Sequence, residues 1–160
     1  MTRLGRLVLA VSLFANRRGL YNGRRSTRVH VAVYRWSGGR LGRQVPGCPG
    51  ARILLLDHIG ARSHARRTSP LMYHREGDTV AVVASKAGQP THPAWFHNLL
   101  ANPDTTIQIG SAVRLVRARV AGDPERDRLW PEFVGFYPGY DAFQRMAAPR
   151  RLPMVILEPR

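Results

Sequence analysis

Apolar residues recur at Leu4, Leu7, Val8, Val11, Phe14 and Ala15, the 3.6-residue period of one helix face, with Arg3, Arg6, Ser12, Asn16 and Arg17 largely opposite. The pattern predicts a short basic amphipathic helix that ends at Gly19. A secretory signal is the rival reading; it ranks lower because no small-x-small cleavage site stands near Asn16. A second basic segment covers residues 20–36 and stops at Gly38-Gly39. Residues 44–50 carry Pro46, Gly47, Pro49 and Gly50 and read as a linker, with Cys48 inside it.

From Ala51 the texture changes to strands. Residues 52–59 contain Ile53-Leu54-Leu55-Leu56, a buried strand by composition. Residues 60–67 form a basic turn. Residues 68–75 and 79–85 are strands joined by the turn signal Glu76-Gly77-Asp78. Residues 93–101 begin with proline and carry Trp95, Phe96, Leu99 and Leu100, a short helix. Residues 105–109 and 112–120 alternate around Gly110-Ser111 as a second hairpin. Asp123-Pro124 starts another helix, with Asp123 expected as its N-cap. Residues 153–158 form the last strand. The fold class expected is mainly β with helices (α+β): a split β-barrel of about six antiparallel strands with an N-terminal helical arm. The organisation expected is an arm and linker over 1–50 and a ligand-binding barrel over 51–160.

Composition narrows the partners. The 160 residues fit one domain, and one cysteine allows no internal disulfide. Net charge is +15; of 25 basic residues only Lys86 is lysine, and no Asp or Glu precedes Asp57. Codon usage suffices to explain arginine in place of lysine, but it does not explain the missing acids. Such a chain attracts polyanions: nucleic acid, acidic lipid headgroups, or a phosphorylated or polycarboxylate ligand.

Several chemistries are unsupported. There is no G-x-G-x-x-G, no phosphate-binding Walker loop and no G-x-S-x-G elbow. His92 and His97 lie five apart, about 140° around a helix, so no metal is expected. No convergent pair of carboxylates suggests itself.

Three segments do suggest a site. Residues 60–67 set Arg62, Ser63, Arg66 and Arg67 on one turn between strands, donors suited to phosphate or carboxylates; the bland reading is a solvated basic turn. Ala84-Ser85-Lys86-Ala87-Gly88 ends a strand with small residues that let a flat ligand approach the backbone, or is a plain turn. Trp130, Phe136, Tyr137, Tyr140 and Phe143 form an aromatic cluster. Such residues are usually core, but each tyrosine hydroxyl needs a partner and is a potential proton donor.

The block Thr68-x-Pro70-Leu71, Val82-Val83-Ala84-Ser85-Lys86-x-Gly88, Thr91-His92-Pro93-Ala94-Trp95-Phe96-His97-Asn98-Leu99, Tyr137-Pro138-Gly139-Tyr140 and Pro153 to Pro159 resembles the deazaflavin-dependent nitroreductase family over residues 30–160. That actinobacterial family uses the deazaflavin coenzyme F420 on a split β-barrel. The resemblance implies that Arg62, Ser63 and Arg67 bind the coenzyme's phosphate and acidic tail, with Pro70 closing the pocket. It implies that Ala84, Ser85 and Lys86 line the deazaflavin ring and that Ala94, Trp95 and Asn98 flank it. Tyr140, Tyr137 and Ser85 would face the substrate and act in catalysis. The reaction implied is hydride transfer from reduced F420 to a small electron-poor acceptor such as a quinone, activated alkene or nitroaromatic.

The chain departs from the family at Asp57-His58-Ile59, where three threonines are usual, and at Ala61, usually basic. It departs again at His64 and Ala87, usually glycine, and at Phe143, a tyrosine in some members. If the glycine at position 64 has positive φ, His64 is strained. Other readings stay open: a flavin mononucleotide (FMN) enzyme on the same barrel, a non-catalytic cofactor-binding protein, or a nucleic-acid module, disfavoured because the body lacks aromatic-basic alternation. The expected location is cytoplasmic. Contact of the basic arm with acidic membrane lipid is a further expectation, and oligomeric state is left open.

Overall fold

A computed structural model of the chain describes residues 24–160. The helix expected around Leu4–Ala15 lies outside those residues. The described chain starts with helix α1 (Arg24–Trp36). Tyr34 anchors it: the ring is fully buried, its hydroxyl donates to the Ile53 carbonyl at 3.0 Å and accepts from the Gly110 N–H at 3.0 Å. One phenol thus ties α1 to a strand and to a turn that are remote from it in sequence. Gly38 and Gly39 end the helix with φ of +59° and +75°. Only glycine fits at 39, where a Cβ would lie 2.6 Å from the Gly110 Cα.

Seven strands follow: β1 (Gln44–Val45), β2 (Cys48–Ile59), β3 (Arg66–Glu76), β4 (Thr79–Val83), β5 (Asp104–Ile109), β6 (Ala112–Val120) and β7 (Met154–Pro159). They lie in the order β1-β2-β3-β4-β7-β6-β5, all neighbours antiparallel. Pairing of β5 back onto β2, Leu55 with Gln108 and Leu56 with Ile107, closes the six long strands into a barrel. The barrel class and the six antiparallel strands agree with the sequence reading.

The supposed linker at 44–50 is instead a hairpin. Val45 pairs with Cys48 around Pro46-Gly47, with Gly47 at φ +76°. Proline then glycine is the pair that a tight turn with positive φ at its third residue requires, so the segment folds back on itself instead of linking two units. β2 therefore runs straight through the boundary drawn at residue 50. Residues 24–50 are built onto the barrel rather than hung from it.

Alternation along the strands makes two cores. Inside the barrel, Leu54, Leu56, Val80, Val82, Ile107, Val116, Val155 and Leu157 pack together, and helix α2 (Ala94–Ala101) plugs the end with Trp95, Phe96 and Leu99. Outside it, Ala81, Val83, Met154 and Ile156 on β4 and β7 are covered by helices α3 (Asp123–Phe136) and α4 (Gly139–Ala147) through Leu129, Phe133, Tyr140 and Phe143. Each fully buried side chain of this size contributes roughly 1.5–3 kcal/mol, so both faces of β4 are firmly held. α3 is capped at Gly122, not at the expected Asp123. Asp123 sits in the first turn, where its charge suits the helix dipole, and pairs with Arg151 at 2.5 Å.

Candidate functional site

The register of the barrel leaves a gap. Tyr73 is the last β3 residue opposite β4, where it meets Val82, and β4 ends at Val83. In the sheet the first half of β3, residues 66–71, pairs only with β2, so no strand lies on its other edge; Arg35 of α1 donates to Thr68 Oγ1 at 3.2 Å. Pro70 sits in that stretch and lacks an N–H, which suits an unpaired edge. Ala84, Ser85 and Lys86 leave the sheet across this gap. The basic turn lies at its end, because His58 and Arg67 are register partners. Two of the three segments singled out in the sequence therefore border one opening.

The turn between β2 and β3 is tightly tied. The Gly60 N–H donates to the Ala65 carbonyl at 2.9 Å, and the His64 N–H donates to the Gly60 carbonyl at 2.8 Å. Ser63 Oγ lies where a Cβ on Gly60 would stand, 2.4 Å away, so Ser63 folds over Gly60. His64 does adopt the expected positive φ, +53°. Arg62, Arg66 and Arg67 are exposed. Eight of the ten acidic residues form ion pairs with other arginines, and among the described residues none reaches these three. Three exposed guanidiniums without counterions on one rigid turn are a donor set for a polyanion.

Under the turn is a network that sequence reasoning missed. Asn98, on α2, accepts from the Ala61 N–H at 2.9 Å and touches His58 Nδ1 at 2.8 Å; His58 Nε2 lies 3.0 Å from Ser69 Oγ. Burial and the Arg67 charge push His58 down to about 4 from the usual 6.5, against a smaller upward pull from Asp57. Both ends of the Asn98 amide are thus engaged, the oxygen by the Ala61 N–H and the nitrogen by His58. The only sequence signal was His58 standing where the resembling family has threonine.

The small-residue strand end has its own tie. Lys86, Ala87 and Gly88 take φ of +47°, +53° and +75° in succession. Lys86 Nζ donates across the loop to Thr91 Oγ1 at 2.7 Å. Ala84 is fully buried and packs inward with the barrel core, its N–H donating to the Pro153 carbonyl at 2.8 Å; Ser85 is half-buried. Arg150, unremarked in the sequence, bonds to the carbonyls of Ala84, Ser85 and Gln89. Ala94 is exposed at the start of α2, and Trp95 is buried in the plug. His92 precedes α2, so the helical-wheel argument does not apply to it; its ring lies 5.8 Å from that of His97.

Tyr137 and Tyr140 lie in the outer core, not on an open wall. Tyr140 is ringed by Trp130, Phe133, Phe136, Tyr137 and Phe143 at centroid distances of 5.4–6.4 Å. Burial holds its hydroxyl well above the usual value near 10, with Tyr137 adding to the shift. The same cluster includes Ala87, and a Cβ on Gly88 would lie 3.1 Å from the Phe143 Cα. α4 thereby packs Phe143 and Met146 against the back of the Ser85 loop.

The model of the family described as F420H(2)-dependent quinone reductase matches residues 26–159. A Mycobacterium tuberculosis protein named F420H(2)-dependent quinone reductase is 39% identical over 139 residues, covering 83% of this chain and 89% of that protein. A solved structure described as an F420-H2 dependent reductase is 38% identical, covers 66% of this chain and 93% of its own, and superposes with a TM-score of 0.61. Another, described as a domain-swapped dimer, is 32% identical over 84% of this chain and 96% of its own, with a TM-score of 0.65.

Proposed function

The chain belongs to the F420H(2)-dependent quinone reductase family, and from that premise we propose that it reduces quinone-type acceptors with F420H2 at the gap beside β3. The observation that carries the placement is the pairing of three uncompensated guanidiniums with a small-residue strand end across one open strand edge. The residues fit the coenzyme's chemistry: a phosphodiester and acidic tail need several fixed positive donors, and a flat ring needs backbone without bulky side chains. We take the coenzyme-binding residues to lie within 51–160, on a barrel whose β2 begins at Cys48.

When bound, the reduced deazaflavin supplies a hydride, a two-electron donor. Arg62, Ser63 and Arg67 hold the anionic tail, and Pro70 borders it. Ser85 and Lys86 border the ring, Ala84 lies buried behind them, and Ala94 and Trp95 stand on the α2 side. Asn98 acts one step back, by pinning Ala61. A quinone that gains a hydride also needs a proton on its developing oxyanion. The resemblance assigns that proton transfer to Tyr140, with Tyr137 and Ser85; burial keeps the Tyr140 phenol in its protonated form. Alignment of donor and acceptor out of water does the rest.

Titration of the purified protein with oxidised F420, alongside FMN, tests this. Saturable binding of F420 with weak binding of FMN is expected. Tight binding of FMN or DNA with none of F420 overturns it.

A further inference from the structure

We propose that Arg150 is a positioning residue for the coenzyme loop, holding residues 86–88 in the left-handed form that presents the strand end to the ligand; this rests on the F420 reading above. Arg150 lies in the segment between α4 and β7. Its guanidinium reaches both ends of the loop. Nη1 donates to the Ala84 carbonyl at 3.2 Å and to His92 Nδ1 at 3.1 Å; Nη2 donates to the Ser85 carbonyl at 3.0 Å and to the Gln89 carbonyl at 2.6 Å. These acceptors precede and follow the three left-handed residues.

The loop needs such a clamp. Lys86 and Ala87 carry Cβ atoms that crowd the backbone at positive φ, and Ala87 has no polar side chain with which to compensate. Within the loop the backbone bonds are only Gly88 N–H to the Ser85 carbonyl and Gln89 N–H to the Lys86 carbonyl, each at 3.1 Å. Behind it, Gly88 is pressed against α4, where a Cβ would meet Met146 Cβ at 2.8 Å. The loop is thus held between the guanidinium and a helix.

Arg150 is placed for the loop rather than for itself. Its neighbour Arg151 pairs with Asp123 and Asp127, whereas Arg150 has no carboxylate partner among the described residues, and its Nε is buried without an acceptor. A planar fork meets four acceptors at once, which a lysine ammonium on a flexible stem does not. His92 belongs to the clamp. Arginine only donates, so His92 Nδ1 must be unprotonated, and the ring is the neutral Nε2–H tautomer.

The test is a double-mutant cycle on Arg150→Gln and Ala87→Gly, read by F420 affinity and by hydrogen exchange of the amides of residues 85–89, with Arg150→Lys beside it. Arg150→Gln should weaken F420 binding at least tenfold and speed exchange in that loop. Arg150→Lys should stay weak, because charge without the fork does not rebuild the clamp. In the Ala87→Gly background the loss from Arg150→Gln should shrink at least threefold, since glycine holds the left-handed form unaided. Equal losses in both backgrounds, or wild-type affinity in Arg150→Lys, overturn the proposal. If the wild-type protein ignores F420, the functional reading fails; loop exchange that is unchanged by Arg150→Gln then separately overturns the clamp.

Discussion

Asn98 donates its side-chain N–H to His58 Nδ1 at 2.8 Å, and the direction of that bond is settled by a third group. The Ala61 N–H can only donate, so the Asn98 oxygen faces it and the Asn98 nitrogen faces His58. His58 Nδ1 is therefore the bare nitrogen, and Nε2 carries the proton toward Ser69 Oγ. A neutral histidine under a basic turn agrees with its lowered proton affinity.

That relationship sets a pH dependence. His58 binds a proton near 6.5 when unfolded and near 4 when folded. Between those values the unfolded chain holds more protons, so stability falls as pH drops from about 6.5 to about 4, by up to ~3 kcal/mol, and levels off below. His58→Asn keeps an acceptor for Asn98 and does not titrate. Urea denaturation at pH 7, 5.5 and 4.5 should show a shallower decline in the variant; an identical decline refutes the assignment.

Asn98→Ala leaves the Ala61 N–H and His58 Nδ1 without partners. A buried group so orphaned costs about 1–3 kcal/mol. Chemical denaturation should show that loss, and F420 titration should show weaker binding from the loosened turn. Retained affinity would mean that the turn holds its shape without α2.

Arg67→Ala removes an exposed guanidinium that no carboxylate depends on. Stability should move by no more than ~0.5 kcal/mol, while loss of a charge-assisted contact of roughly 1.5–3 kcal/mol weakens F420 ten- to a hundredfold. Fluorescence titration checks it, and unchanged affinity removes Arg67 from the site.

Ala87→Gly relieves a left-handed alanine and adds freedom to the unfolded chain. The first effect is about 1–2 kcal/mol and the second opposes it by about 0.4–1 kcal/mol, so a net gain of up to ~1 kcal/mol is expected as a higher Tm. A lower Tm would mean that the alanine methyl packs better than its backbone is strained.

Tyr140→Phe keeps the buried ring and removes the hydroxyl. Turnover of a quinone should fall more than F420 affinity, and in the wild type no loss of rate should trace to Tyr140 ionising below pH 10, since burial raises it beyond that. Equal loss of turnover and affinity makes the residue structural.

The amino-acid order alone determined the elements whose signals are local. Alternation and the turn residues at Glu76-Gly77-Asp78 and Gly110-Ser111 placed β3 through β6 within a few residues, and the arginine turn and Ser85-Lys86 strand end were visible as chemistry. Only the folded chain decided that these two segments share an opening, because that follows from β4 stopping short of β3, a matter of register. It alone showed His58 and Arg150 as supports, since their bonds join residues 40 and 66 apart and a basic chain gives one arginine no distinguishing mark. It also turned the tyrosines inward: whether an aromatic side chain lines a wall or a core depends on which face of β4 the helices cover, and that is a property of packing.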